Sequence, residues 1–213
     1  MAKNFEKFRK KIQFKDLIYE IPNQLTPTFC RNLINKYEEN VHLQASGTTF
    51  IGTDVGIKQS EDINISEHAK FKEEDRIFDI TLKKALWNYI DHLTTFNWEY
   101  NRLINTNYTD TGFQMQRTTP GGFYDWHHDG MGLRAMTYIF YLNDVKHKGQ
   151  TEFADGTKVK PREGKFVMFP ANWNYVHRGV APKKEIKYIV TGWLYASCDP
   201  NQVTAPRPVP EII

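Results

Sequence analysis

Apolar positions along this chain follow a helical rhythm before about residue 98 and a strand rhythm after it. Thr26 followed by Pro27 is a helix start: a hydroxyl that can cap the first turn, then a ring with φ already helical. Phe29, Cys30, Leu33, Ile34 and Tyr37 then recur at helical spacing to about residue 40. A second stripe, Phe78, Leu82, Ala85, Leu86, Tyr89, Ile90 and Leu93, leaves Lys83, Lys84 and Asp91 off its face. It predicts a helix packed on the outside of a sheet. Phe14–Ile21 reads as a first strand, and residues 1–13 as a basic, polar, mobile lead-in. Residues 41–72, punctuated by Gly47, Gly52 and Gly56, read as short strands or a surface loop. Such a segment beside a barrel mouth can help hold a substrate, or can simply connect.

Strand-forming residues dominate the second part, in candidates at 101–107, 113–118, 123–128, 134–143, 165–169, 174–178 and 185–195. Turn residues separate them at Thr119-Pro120-Gly121-Gly122, Asn143-Asp144 and Pro161–Gly164. Helices followed by many short strands predict an α+β, mainly β fold, a jelly-roll barrel of two sheets backed by helices. One domain over 1–213 is expected, with helical support at about 14–98, the β core at about 99–196 and an irregular tail at 197–213 carrying Pro206, Pro208 and Pro210.

Composition narrows this little. The 213 residues are 40% hydrophobic and 14% aromatic, enough for a real core, and the net charge of +3 is far from a nucleic-acid-binding signature. No apolar run is long enough to span a membrane. The N-terminus lacks the apolar core of a secretory signal. Cys30 and Cys198 form no CxxC pair or disulfide framework, so a reducing, cytoplasmic setting is expected.

The candidate chemistry lies in Tyr124-Asp125-Trp126-His127-His128-Asp129. On a strand, His127 and Asp129 leave by one face and His128 by the other. With His177 they make two imidazoles and one carboxylate, the set expected for non-haem Fe(II) with open positions for oxygen chemistry. His42, His68, His92 and His147 sit in no such pattern and read as surface or structural. Lys187 stands within an apolar strand and shares a face with Ile189, Thr191 and Trp193. Turned inward it needs an anionic partner; on an edge strand it faces water. Thr137, Ile139 and Tyr141 share a face of the preceding long strand, so Tyr141 and Lys187 can hold one end of a dicarboxylate, with Thr191 adding a hydroxyl donor.

At these residues the chain resembles the Fe(II)- and 2-oxoglutarate-dependent dioxygenases, in the prolyl 4-hydroxylase branch, and among them the small homologues encoded by tailed phages. The resemblance covers roughly 113–195 and runs through Tyr124-x-x-His127-x-Asp129, Arg134-x-x-Thr137, Tyr141-Leu142-Asn143, Gly149–Phe153, Pro161-x-x-Gly164, His177, Lys187 and Trp193. It implies a double-stranded β-helix, with His127, Asp129 and His177 holding Fe(II). Lys187 would pair with the distal carboxylate of 2-oxoglutarate, supported by Tyr141 and Thr151. O2 is the implied second cosubstrate, and ascorbate a candidate further cofactor. Tyr124, Arg134 and Trp193 match positions near a peptidyl-prolyl substrate, and Arg117 stands where relatives often have a tyrosine near the cosubstrate. A protein or peptide substrate, in the host cytoplasm if the gene is viral, follows from the same resemblance.

Two departures stand out. The usual Gly-Gly-x-Thr reads Lys148-Gly149-Gln150-Thr151, and Arg117 replaces tyrosine. The last strand lacks the arginine pair of nucleobase-repair relatives, which argues against a nucleic-acid substrate. Within the enzyme class, a free amino acid or another side chain is an alternative substrate. Outside it, the alternatives are a non-catalytic jelly-roll module with a Zn²⁺ site and a phage structural protein that borrowed the barrel.

Overall fold

The computed structural model describes residues 11–49 and 52–197. Residues 1–10 of the expected lead-in, Cys198 and the proline-bearing tail from 198 lie outside the described residues. In chain order the elements are β1 (Tyr19–Ile21), α1 (Pro27–Glu38), β2 (Ala45–Ser46), β3 (Glu61–Asn64), α2 (Lys72–Thr94), β4 (Asn107–Asp110), β5 (Gln114–Thr118), β6 (Tyr124–His127), β7 (Arg134–Tyr141), β8 (Thr151–Phe153), β9 (Lys158–Val159), β10 (Phe166–Pro170), β11 (His177–Gly179) and β12 (Lys187–Ser197). Short 3₁₀ turns join several of them. No helix among the described residues is long and apolar enough to cross a membrane.

The strands form two sheets. The larger runs β1-β10-β7-β12-β5-β3-β2, with β4 also paired to β12; the smaller runs β6-β11-β8-β9. Strand alternation then decides what each face carries. On β7, Tyr138 and Phe140 point toward the helices, where they pack with Phe78, Leu82, Ala85, Tyr89 and Leu93 of α2 and Leu33 and Tyr37 of α1. Ile139 and Tyr141 point the other way, between the sheets, with Phe153, Val159, Phe169, Tyr175 and Ile189. The helices thus lie outside the larger sheet, and the site lies between the two sheets. The predicted N-cap forms: Thr26 Oγ1 accepts from the Phe29 N–H at 3.2 Å. Leu82 is buried in this helix-facing layer, so truncating it to alanine should cost about 2–5 kcal/mol.

The pattern misled in four places. Residues Trp98–Asn105 are 3₁₀ helix, not strand, because the Asn97 side chain accepts from the Glu99 N–H at 3.1 Å and starts a turn. Phe14–Leu17 is likewise a 3₁₀ turn, closed by the Gln13 N–H donating to Asp16 at 2.9 Å, so strand pairing begins only at Tyr19. Residues 174–176 precede β11, which starts at His177. β4, β8 and β9 went unpredicted, at four, three and two residues too short to show alternation.

Candidate active site

β6 and β11 pair antiparallel with His127 directly opposite His177. β6 ends at His127, so Asp129 comes from the turn beyond it and not from strand alternation. That turn is tight: the Met131 N–H donates to the Asp129 carbonyl at 2.7 Å. Gly130 lets it press against residues 171–172, since an added Cβ would sit 2.8 Å from the Ala171 carbonyl oxygen. The ligand atoms of His127, Asp129 and His177 all lie within 4.8 Å of one another. His128 faces solvent.

Backbone contacts set the tautomers. His127 Nδ1 lies 2.7 Å from the Asp125 carbonyl and His177 Nδ1 lies 2.9 Å from the Tyr175 carbonyl. A carbonyl only accepts, so each Nδ1 carries a proton, and Nε2 is the ring atom left to ligate. Those Nε2 atoms stand 3.8 and 3.6 Å from the Asp129 carboxylate oxygens. Burial, and then the neighbouring His177, push His127 down to about 4, which keeps it neutral and able to ligate. Burial pushes the Asp129 carboxyl up. The two histidines, the Thr137 hydroxyl and the Trp193 indole outweigh it and hold the group below the ordinary carboxylate range. Thr137 Oγ1 donates to Asp129 at 2.7 Å, whereas the Trp193 N–H stops short of hydrogen-bond geometry. Two imidazoles that present Nε2 and an ionised carboxylate fit a divalent metal with positions left open.

These groups open into a cavity of about 630 Å³ between the sheets. Lys187 lines it, is 5% exposed, and its ammonium makes no hydrogen bond or ion pair among the described residues. An added Cβ at Gly179 would lie 3.5 Å from Lys187 Nζ, which places the ammonium two residues along β11 from His177. Burial alone pushes Lys187 down to about 8. A buried cation without a partner in a cavity is a socket for an anion. Thr151 lines the same cavity and hydrogen-bonds the Tyr141 hydroxyl at 2.8 Å; Tyr141 stands behind it, fully buried. Thr191 also lines it, but its proton goes to the Tyr138 carbonyl at 2.8 Å. It therefore offers lone pairs and not the donor expected of it.

Tyr124, Arg134 and Trp193 line the cavity. Tyr124 stacks on His127 at 3.6 Å between ring centroids, and the Arg134 guanidinium lies 3.6 Å over the Trp193 ring. Arg117 does not line it, which corrects the expectation that it stands near the cosubstrate or the substrate. Alternation along β5 sends Gln114, Gln116 and Thr118 into the cavity and turns Arg117 to the helix side, where it pairs with Glu38 at 3.1 Å and with Glu61.

Several cavity residues were missed. Gln116 is one, legible in principle from period-2 alternation along 113–118, which the resemblance-based placing of Arg117 did not use. Lys58 is another, buried in an ion pair of 2.7 Å with Asp62. Its segment turns out to be a wall: Thr48, Ile57, Lys58, Ser60 and Asn64 all line the cavity. At the departure from Gly-Gly-x-Thr, Lys148 takes φ 66, a left-handed conformation suited to glycine, and Gly149 follows at φ 79.

Residues 113–195 match the family model described as the 2OG-Fe(II) oxygenase superfamily, and the matched stretch contains all three candidate ligands and Lys187. No curated protein matches the sequence significantly. Among solved structures, the viral collagen prolyl hydroxylase of Paramecium bursaria chlorella virus 1, in its 2OG complex, is similar at 19% identity and TM-score 0.60, over 85% of this chain and 97% of that one. A Trichoplax adhaerens prolyl hydroxylase in complex with a hypoxia inducible factor peptide fragment gives 18% identity and TM-score 0.67, over 84% of each chain. A Pseudomonas putida prolyl-4-hydroxylase gives 17% identity and TM-score 0.58, over 84% of this chain and 92% of that one. At such identities the likeness speaks for the fold.

Proposed function

We propose that the protein is an Fe(II)- and 2-oxoglutarate-dependent dioxygenase that hydroxylates a prolyl residue of a protein or peptide. The observation that carries the reading is one cavity holding both a buried lysine with no partner among the described residues and a two-histidine, one-carboxylate cluster. His127, Asp129 and His177 would hold the iron. When bound, iron and its cosubstrates supply the oxidising chemistry, with 2-oxoglutarate leaving as succinate and CO2. The chain's own groups bind and orient. The Lys187 ammonium would take the distal carboxylate in a charge-assisted bond, with Thr151 beside it and Tyr141 fixing the Thr151 hydroxyl. Thr137 aims Asp129 and adds to the two histidines in holding it ionised. Tyr124 and Trp193, the latter carrying Arg134, line the cavity with aromatic carbon, which suits a pyrrolidine ring.

The prolyl class is supported by the resemblance of Tyr124, Arg134 and Trp193 to the family motif and by a fold shared with three prolyl hydroxylases. A structural zinc module fits less well: such sites take four ligands, usually with thiolates, whereas this cluster has three and Cys30 lies in the helix-facing core. The test is incubation of proline-containing peptides with enzyme, Fe(II) and 2-oxoglutarate under air. Tandem mass spectrometry should place one added oxygen on proline, with one succinate formed per modified peptide. Succinate formed alongside oxygen on another residue type, or on a free amino acid, overturns the prolyl assignment.

A further inference from the structure

The wall formed by residues 45–49 and 52–64 is fastened to the strand that carries His127. The Gln59 N–H donates to the Phe123 carbonyl at 2.7 Å, and the Asp125 N–H to the Ile57 carbonyl at 2.8 Å. Within the wall, Lys58 and Asp62 are 3% and 6% exposed and meet at 2.7 Å. The Ser60 hydroxyl donates to the other Asp62 oxygen at 2.8 Å. The pair is packed closely, since an added Cβ at Gly47 would lie 2.8 Å from Lys58 Cε. Lys58 Nζ also sits 5.5 Å from the centre of the Tyr124 ring, and Tyr124 stacks on His127 with 13° between the ring planes. Cation, phenol ring and imidazole thus form one column ending at a candidate ligand.

A buried ion pair is a poor source of stability, because desolvation offsets much of its attraction. Its placement in this column needs another reason. We infer that Lys58 and Asp62 are positioning residues for the metal centre: together they seat Tyr124 on His127, and Asp62 neutralises an ammonium that would otherwise oppose a dication at His127, Asp129 and His177. This rests on the proposed metal centre and adds residues outside the matched domain.

The two partners are not equivalent. Removing the carboxylate leaves a buried positive charge facing the metal. Removing the ammonium leaves a carboxyl that can take a proton, and burial already pushes Asp62 up. The inference therefore orders the variants. Asp62→Asn should be the worst, Lys58→Met milder, and the double variant Lys58→Met/Asp62→Asn should recover most of the loss of Asp62→Asn.

The experiment is anaerobic Co(II) titration of the full chain, read by the visible absorption of the bound ion, with circular dichroism to select folded samples. Wild type should bind Co(II). Asp62→Asn should bind about 10–100-fold more weakly, the range seen when outer-sphere partners of metal ligands are lost. The double variant should return to within a few-fold of Lys58→Met. Tyr124→Leu, which leaves the ion pair intact, should weaken binding and alter the Co(II) spectrum, so the column stays testable if Asp62→Asn does not fold. Wild type that binds Co(II) alongside folded Asp62→Asn or Tyr124→Leu of equal affinity and unchanged spectrum overturns this inference alone. Wild type that binds no Co(II) overturns the metal-centre reading and this inference with it.

Discussion

Thr137, on the inner face of β7, donates a 2.7 Å hydrogen bond to Asp129, which belongs to the turn after β6 on the opposite sheet. The bond spans the gap between sheets and fixes the one anionic candidate ligand. Both groups are more than nine-tenths buried, so its loss leaves a carboxylate short of a donor in a dry site. Thr137→Val keeps the shape and removes the hydroxyl. It should weaken metal binding about tenfold with little change in the far-ultraviolet circular dichroism. Co(II) titration checks both.

Lys187 gives a pH dependence with a definite sign. Its folded value of about 8 lies below the ordinary 10.5. Between those values the unfolded chain holds more protons, so this group makes the ligand-free protein more stable as pH rises through that window. Affinity for 2-oxoglutarate runs oppositely, because only the charged form makes the ion pair. The dissociation constant should start to climb above about pH 8 in wild type. Lys187→Met should bind weakly at every pH, losing about 1.5–3 kcal/mol, the worth of a hydrogen bond to a charged group, and should lack that rise. Calorimetric titration across the range measures both.

Neighbouring positions on β5 should behave in opposite ways. Arg117 holds Glu38 and Glu61 at a partly exposed position on the helix side of the sheet. Arg117→Ala should cost no more than about 1 kcal/mol of stability and leave the KM for 2-oxoglutarate unchanged. Gln116→Leu, on the cavity face beside Ile189, should raise that KM with little loss of stability. Steady-state kinetics and thermal melts separate the two outcomes.

Lys148 adopts a left-handed backbone at φ 66 with a side chain that disfavours it. Lys148→Gly should stabilise the fold by about 0.5–1 kcal/mol, since relief of that strain outweighs the added freedom of the unfolded chain. Urea denaturation at constant slope is the check.

Periodicity carried the architecture because long elements show it repeatedly. α2 and the long strands β7 and β12 were legible for that reason, down to the inner-face set of Lys187, Ile189, Thr191 and Trp193. β8 and β9 are too short to repeat anything. Trp98–Asn105 has strand-like residues but is decided by the Asn97 cap. The His127, Asp129 and His177 cluster was visible as residue types. The reason offered for pairing His127 with Asp129 was wrong, since a turn and Gly130 do the work assigned to strand alternation. Lys58 and Asp62 were not legible, because a polar segment looks alike whether it floats in solvent or folds its charges inward onto a cavity wall.

The most direct test of the account is succinate formation from 2-oxoglutarate under air, with and without Fe(II), in wild type, His127→Ala and Lys187→Ala. The account predicts slow Fe(II)-dependent turnover in wild type even without substrate, abolished in His127→Ala and reduced at least tenfold in Lys187→Ala, as loss of an ion-paired hydrogen bond implies. Folded wild type that forms no succinate and binds neither Fe(II) nor 2-oxoglutarate would contradict it.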